Sequence, residues 1–242
     1  MMGMTINAEI IDDGVTAEIF DKVFDYFNYI DQKFSPFKDD SEISQINHGL
    51  IKPDDYSEDM KTVLRLCAEV KQKTNGYFDI VSRDGSLNPS GLVKGWAIYN
   101  ASQIVKNSGC KNFYVDAGGD IQAYGLNAEK QPWRVGIRNP FEPEQIVKVL
   151  GISDRGLATS GTYIRGQHIY DPHNKDKQLS EIVSLTVIGP DVYEADCLAT
   201  AAFAMGGDGI GYIEKQKCFE GYQIDKDAQA LMTSGFNKFV IS

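Results

Sequence analysis

Ala195-Asp196-Cys197-Leu198-Ala199-Thr200-Ala201, running on through Ala202-Phe203-Ala204-Met205 to Gly206-Gly207, is small or apolar at nearly every position. It reads as a buried helix closed by glycine. Ahead of it lies Ile182 to Gly189, an apolar, β-branched run that reads as a strand. Asp196 and Thr200 are the helix's oxygen-bearing side chains, and their i, i+4 spacing puts both on one face. A buried carboxylate needs a partner, because an unpaired charge in a core is costly. No Lys or Arg lies nearby in sequence to neutralise it. Two readings are open. A carboxylate and a hydroxyl on one face suit a hard cation such as Mg²⁺, which takes oxygen ligands. Alternatively, the Asp caps the helix start and the Thr bonds back to a carbonyl.

Outward from this helix the chain reads as a mixed α+β order, not a regular βαβ alternation. A short strand spans Thr5 to Ile11. Ile19, Phe20, Val23, Phe24, Phe27, Ile30 and Phe34 recur at helical spacing and predict a helix from Ala17 to Phe34, ended by Ser35-Pro36. Ser41-Glu42-Ile43-Ser44 resembles a helix start leading to Asn47. Ser57 caps a long helix from Glu58 to Thr74, with Met60, Val63, Leu64, Cys67 and Val70 inward, stopping at Asn75-Gly76.

The middle is punctuated by glycine. Tyr77 to Val81 reads as strand-like, Arg83 to Gly95 as a loop, and Trp96 to Ser108 as a helix. Further strands are predicted over Asn112 to Ala117, Trp133 to Ile137, Val147 to Ile152 and Gly156 to Ser160. After the buried helix come a helix from Gly209 to Gln216 and strands over Tyr222 to Asp225, Ala230 to Thr233 and Phe239 to Ile241.

The chain has 242 residues, 42% of them hydrophobic and 24% charged, as in an ordinary globular protein. A net charge of −10 argues against nucleic acid or an anionic membrane as the main partner. Any polyphosphate ligand must then be held by local donors or a metal. No stretch approaches the length of a membrane span, and no basic region followed by an apolar run opens the chain. The four cysteines are widely spaced, with no CxxC pair, and read as free, mostly buried thiols in a reducing compartment.

Three further stretches carry chemistry. Ser90-Gly91-Leu92-Val93-Lys94-Gly95-Trp96 reads as a loop entering a helix, where free N–H groups and Lys94 would attract an anion. A tight turn with a surface lysine is the bland alternative. Gly118-Gly119-Asp120 follows a strand, so it is either a β-turn or a way of aiming Asp120 at a cleft. His168, before Ile169-Tyr170-Asp171-Pro172, is either a structural histidine or a base that takes a proton from a hydroxyl nucleophile. Together, anion loop, metal ligands and base point to Mg²⁺-assisted chemistry on a phosphate ester.

The ordered set resembles the ApbE family, flavin transferases that move FMN from FAD onto a Thr or Ser of a target protein. The resemblance runs through Met2-Gly3-Met4-Thr5, Asp31, Phe34-Ser35-Pro36-Phe37 and Ser41-Glu42-Ile43-Ser44-Gln45-Ile46-Asn47. It continues through Gly76-Tyr77-Phe78-Asp79, Ser90 to Gly95, Ala117-Gly118-Gly119-Asp120-Ile121, Thr159 to Tyr163, His168 to Pro172, and Ala195 to Ala201. It implies one domain over residues 1–242, an α+β fold of mostly antiparallel sheets packed with helices. It also implies Mg²⁺ held by the side chains of Asp196 and Thr200 and the carbonyl of Gly91. FAD, the substrate, would meet Met2, Phe37, Tyr77, Phe78, Asp79, Asn88, Lys94, Asp120 and Ile169. His168 would deprotonate the acceptor protein's hydroxyl, and AMP would leave.

This chain departs from the family pattern at two positions. Asn88 stands where many members carry Asp, and Ala199 where some carry a second acidic ligand. These departures leave open a non-catalytic FAD-binding protein, or a hydrolase that splits FAD to FMN and AMP. The family's usual lipoprotein signal is missing, so the expectation is a cytoplasmic form or a domain cut from a longer chain.

Overall fold

The computed structural model describes residues 3–162, 169–174, 179 and 181–241. Strand β1 (Ile6–Ile10) is followed by helices α1 (Ala17–Phe34), α2 (Glu42–Asn47), α3 (Glu58–Lys73) and α4 (Ser90–Asn107). Strands β2 (Phe113–Ala117), β3 (Asp120–Tyr124), β4 (Trp133–Arg138), β5 (Ile146–Ile152), β6 (Arg155–Gly161) and β7 (Ile182–Gly189) come next. Helices α5 (Val192–Ala204) and α6 (Gly209–Glu214) and strands β8 (Glu220–Asp225) and β9 (Ala230–Met232) complete the chain. The order is the expected α+β one. Seven strands form one sheet, β1-β2-β3-β6-β7-β8-β9, and β4 pairs with β5 in a separate ribbon. Among the described residues, neighbouring strands pair antiparallel throughout.

The large sheet is covered on both faces, and the strand period of two decides which residue serves which face. On one face Ala158, Leu185 and Val187 meet Ala195, Ala199, Ala202 and Phe203 of α5. On the other, Leu157, Ile188, Tyr222 and Ile224 meet the β4–β5 ribbon and Phe236. Because β7 is buried on both sides, it reads as an unbroken apolar run. Helices α1 to α4 close the core beside β2, where Phe27, Ile30, Phe113 and Val115 are wholly buried.

The α1 boundaries follow directly from its apolar stripe: Ile19, Val23, Phe27, Ile30 and Phe34 are the buried residues. Ser41 and Ser57 cap α2 and α3 through their hydroxyls, accepting from Ser44 N and Met60 N. At the start of α5 the cap is Asp191, whose carboxylate accepts from Glu194 N at 2.8 Å. Asp196 is therefore a mid-helix residue.

Four expectations are corrected. Tyr77 to Val81 forms no strand; a single bridge joins Val81 to Leu87 across a short turn. Phe239 to Ile241 is not a strand either, since Phe236–Phe239 form a 3₁₀ turn and Val240 bridges Leu150. No strand is expected after Gly118-Gly119, yet β3 follows it; the pair itself takes the expected β-turn form, a hairpin turn with φ of +64° and +95°. Two consecutive positive φ angles are what a two-residue hairpin with native twist requires. The fourth correction concerns α4, which starts at Ser90 rather than Trp96.

The thiols fit the burial pattern. Cys67, Cys110 and Cys197 are buried and Cys218 is exposed. Burial pushes the Cys67 thiol up to about 12 and raises Cys197 well above the ordinary range. Near neutral pH a thiol reagent is expected to label one cysteine quickly in the folded protein and all four in denaturant. Two or more fast-labelling thiols in the native protein would contradict this burial.

Candidate functional site

The site grows from the junction of α4 and α5. The start of α4 is fixed by its preceding loop: Asn88 N donates to Ile80 O at 2.7 Å, and Asn88 Oδ1 accepts from Ser90 N at 3.1 Å. Pro89 cannot donate, and its carbonyl accepts from Leu92 N and Val93 N at 2.9 Å each. Ser90 to Gly95 is thus helix, not loop. The uncharged amide of Asn88 does the local work of an Asx turn.

Two glycines inside a helix cost stability relative to Ala. Here they let α5 approach. A Cβ on Gly95 would lie 2.7 Å from Asp196 Cβ and 2.8 Å from the Val192 carbonyl. One on Gly91 would lie 3.2 Å from Thr200 Cγ2. Gly95 thus makes room for a helix, not for an anion. Its N–H donates to Asp196 Oδ2 at 2.9 Å.

A partner for the Asp196 charge is Lys94, 102 positions away in sequence but next to Gly95, where α4 touches α5. Its Nζ lies 3.6 Å from Asp196 Oδ1 and forms a close ion pair with Asp120 Oδ2. Lys94 is 15% exposed, so it is not the surface lysine of the bland alternative. Asp120 opens β3 and is held from its other oxygen by Thr159 N at 3.0 Å. Burial holds the Asp120 carboxyl above its usual range, the Lys94 ammonium opposing only part of the rise.

Above these charges lies a cleft of about 330 Å³. Gly91, Lys94, Asp196 and Thr200 form its floor, and Tyr77, Phe78, Asp79, Asn88 and Ile169 line its walls. The structure therefore brings nine of the expected site residues to one cleft. Asp120 sits beneath, behind Lys94. Phe37 does not line it; its ring is 92% exposed on the turn after α1. Met2 and His168 lie outside the described residues.

Sequence reading missed several wall residues. Thr159 and Ser160 end β6 at the cleft, and Met4 and Gly118 meet there, with a Gly118 Cβ position 3.0 Å from Met4 Sδ. All four sit inside stretches that carry the family resemblance, which was the available signal. Tyr170, also on the wall, donates its hydroxyl to Val81 O at 2.9 Å, so it ties the segment after His168 to the opposite loop. His173 adds a second tie, through Asn75 O at 2.9 Å.

The residues present fit a divalent cation in their donor chemistry. Asp196 would supply a carboxylate oxygen, Thr200 a hydroxyl and Gly91 a backbone carbonyl, all of them hard oxygen donors. Among the described residues no group of three His, Cys, Asp or Glu side chains gathers to hold a metal. Such a set leaves several coordination positions to water or phosphate, as Mg²⁺ prefers. Ala199 packs against the sheet with Ala158 and Leu185.

The sequence model of the ApbE family matches residues 2–84 and 81–223. The FAD:protein FMN transferase of Escherichia coli K12 is 27% identical over 194 residues, covering 75% of this chain and 55% of its own. The chain therefore spans about half the length of that relative. The FAD:protein FMN transferase of Salmonella typhimurium LT2 is 23% identical over 296 residues, covering 96% of this chain and 85% of its own. Among solved structures, the flavin transferase ApbE from Vibrio cholerae superposes with a TM-score of 0.84 at 21% identity, covering 98% of this chain and 96% of that one. The ApbE protein from Thermotoga maritima reaches a TM-score of 0.86 at 19% identity, covering 100% and 97%. These likenesses give the fold, and the match to the family model, which takes in most of the sequence, shows that the chain belongs to the ApbE family.

Proposed function

We propose that the chain transfers FMN from FAD to a Thr or Ser hydroxyl of an acceptor protein, in a Mg²⁺-dependent reaction that releases AMP. The observation that carries this reading is the floor of the cleft. A carboxylate and a hydroxyl from α5 meet the glycine-bearing first turns of α4 beside a buried lysine. The names of the curated relatives support the same chemistry.

In this reading the pyrophosphate of FAD lies over the first turns of α4, and Asp196, Thr200 and Gly91 would hold the cation. Mg²⁺ bound there supplies charge neutralisation at the phosphates. Lys94, fixed by Asp120, offers a second positive charge to the same oxygens. Tyr77 and Phe78 give the cleft apolar ring surface for a base or an isoalloxazine. His168, assigned by the family motif, takes the acceptor hydroxyl's proton. The hydroxyl oxygen then bonds to the FMN-side phosphorus as the bridging P–O bond breaks, and AMP leaves with the electron pair.

The test is a transfer assay with FAD, Mg²⁺ and candidate acceptor proteins, read as a fluorescent band on a denaturing gel. The expected result is a band that EDTA abolishes, with one AMP released per flavin attached. AMP release without any acceptor would make the chain a hydrolase instead. FAD bound but left intact, with no band from several genuine acceptors, would make it a binding protein.

A further inference from the structure

Strand β1 is an edge of the large sheet, and its free side leads into the cleft. Among the described residues its only strand neighbour is β2. The pairing runs without a register shift from Ile6↔Ala117 to Ile10↔Phe113. Just beyond its two ends, the Thr5 carbonyl accepts from Gly118 N at 3.0 Å, and Ile11 N donates to the Asn112 carbonyl at 3.1 Å. Both contacts keep that register, so the odd-numbered residues direct their backbone groups to β2. Alternation then turns the N–H and C=O groups of Ile6, Ala8 and Ile10 outward. Among the described residues no backbone group meets them there. Such a row is a template for one more strand, and sheet edges are usually blunted by proline, a bulge or a covering element. Thr5-Ile6-Asn7-Ala8-Glu9-Ile10 has neither proline nor bulge. Its near end opens on the site: Gly3, Met4 and Gly118 line the same cleft as Gly91, Asp196 and Thr200. The opposite edge, β9, contributes no residue to that lining.

We propose that the acceptor protein docks by laying an extended segment along the free edge of β1, which feeds its Thr or Ser into the cleft. This rests on the transferase reading above, which requires a polypeptide hydroxyl in that cleft. Antiparallel pairing is the sense used throughout this sheet and the more stable per residue. In that sense the segment runs against β1 and so towards the cleft. Its hydroxyl residue then follows the one opposite Ile6 by about two to four positions. Main-chain hydrogen bonds to Ile6, Ala8 and Ile10 give affinity, and the side chains beside β1 give selectivity. Ile6, Ala8 and Ile10 pack against the helical core, which favours apolar residues on that face of the segment. Asn7 and Glu9 are exposed on the other face, where the Asn7 amide donates to Asp116 Oδ2 at 3.0 Å. The carboxylates of Glu9 and Asp116 favour Lys or Arg opposite them. The partner is thus a strand with one apolar and one basic face, just ahead of the hydroxyl to be modified.

The experiment is amide hydrogen exchange, followed residue by residue by NMR on the full chain. The probe is an acceptor protein that takes flavin in the transfer assay, with its target residue replaced by alanine so that it binds without reacting. With saturating probe the amides of Ile6, Ala8 and Ile10 are expected to exchange at least about tenfold more slowly, while those of β9 keep their rates. Ala8→Pro gives a second measurement. It removes an outward N–H and no bond to β2, a place where an edge strand tolerates proline. It should raise KM for the acceptor at least about tenfold and leave KM for FAD within about twofold. The exchange result on wild type decides the matter even if this variant folds poorly. Unchanged exchange at the three β1 amides with the probe bound would overturn the proposal. Slowing that grows with the chain's own concentration, with no probe present, would make the edge a seam between two copies and overturn it equally. Failure of every candidate acceptor to take flavin would instead overturn the transferase reading itself.

Discussion

Asp196→Asn is expected to lower flavin transfer by about a thousandfold, roughly 4 kcal/mol of lost transition-state stabilisation, while the protein still folds. The size follows from removing the one carboxylate in the expected donor set. Thr200 and Gly91 offer only neutral oxygens, and an amide oxygen binds a divalent cation far less well than a carboxylate. The fold survives for reasons visible around the residue. An Asn can still accept from Gly95 N, which now donates to Asp196 Oδ2 at 2.9 Å. Lys94 keeps Asp120 as its partner, so no buried charge is stranded. The stability loss should therefore be about 1–2 kcal/mol, the cost of one weakened buried contact. Transfer rate with saturating Mg²⁺ and FAD and thermal unfolding together make the check. Activity within tenfold of wild type would remove Asp196 from the metal site. A collapse of the fold would show that the buried charge serves structure first.

The helices were legible where one apolar stripe met one cap. The stripe from Ile19 to Phe34 and the hydroxyls of Ser41 and Ser57 placed three helices almost to the residue. The start of α4 was not legible, because Gly91 and Gly95 locally argue against helix. Their reason lies in α5, a hundred residues on, and appears only when the two helices touch. Likewise the partner of Asp196 could not be found by looking along its own helix, since Lys94 reaches it from α4. Strand β3 was hidden by the glycine pair that makes its hairpin. The residues that meet in the cleft were readable as a family pattern, in order, but the geometry alone places Asp120 beneath the cleft, against Lys94. Phe37 belongs to the same family pattern, yet it stands outside the cleft lining, in solvent.

Gly95→Ala should unfold the protein at a temperature about 5–10 °C lower and weaken cation binding at the same time. On an exposed helix the same change would stabilise by roughly 1 kcal/mol. The sign reverses here because the new methyl would stand 2.7 Å from Asp196 Cβ and 2.8 Å from the Val192 carbonyl. Neither obstacle is the loose end of a side chain; one is backbone in the first turn of α5 and the other is anchored to it. The helices must part, at a cost of about 1–3 kcal/mol for overpacking, and at this size each kcal/mol lowers Tm by about 2–4 °C. Parting them also carries Asp196 away from Gly91 and Lys94. A displacement of about 1 Å in such a site can cost on the order of a hundredfold in rate. The matched control is Gly211→Ala in α6, where an added methyl meets nothing within 4 Å, and stability should hold or rise. Equal melting temperatures for Gly95→Ala and wild type would mean that α4 and α5 are not in the close contact on which the whole site depends. A drop in melting temperature without any loss of Mn²⁺ affinity would separate the helix contact from the metal site. A joint loss ties the two glycines of α4 to the chemistry above them.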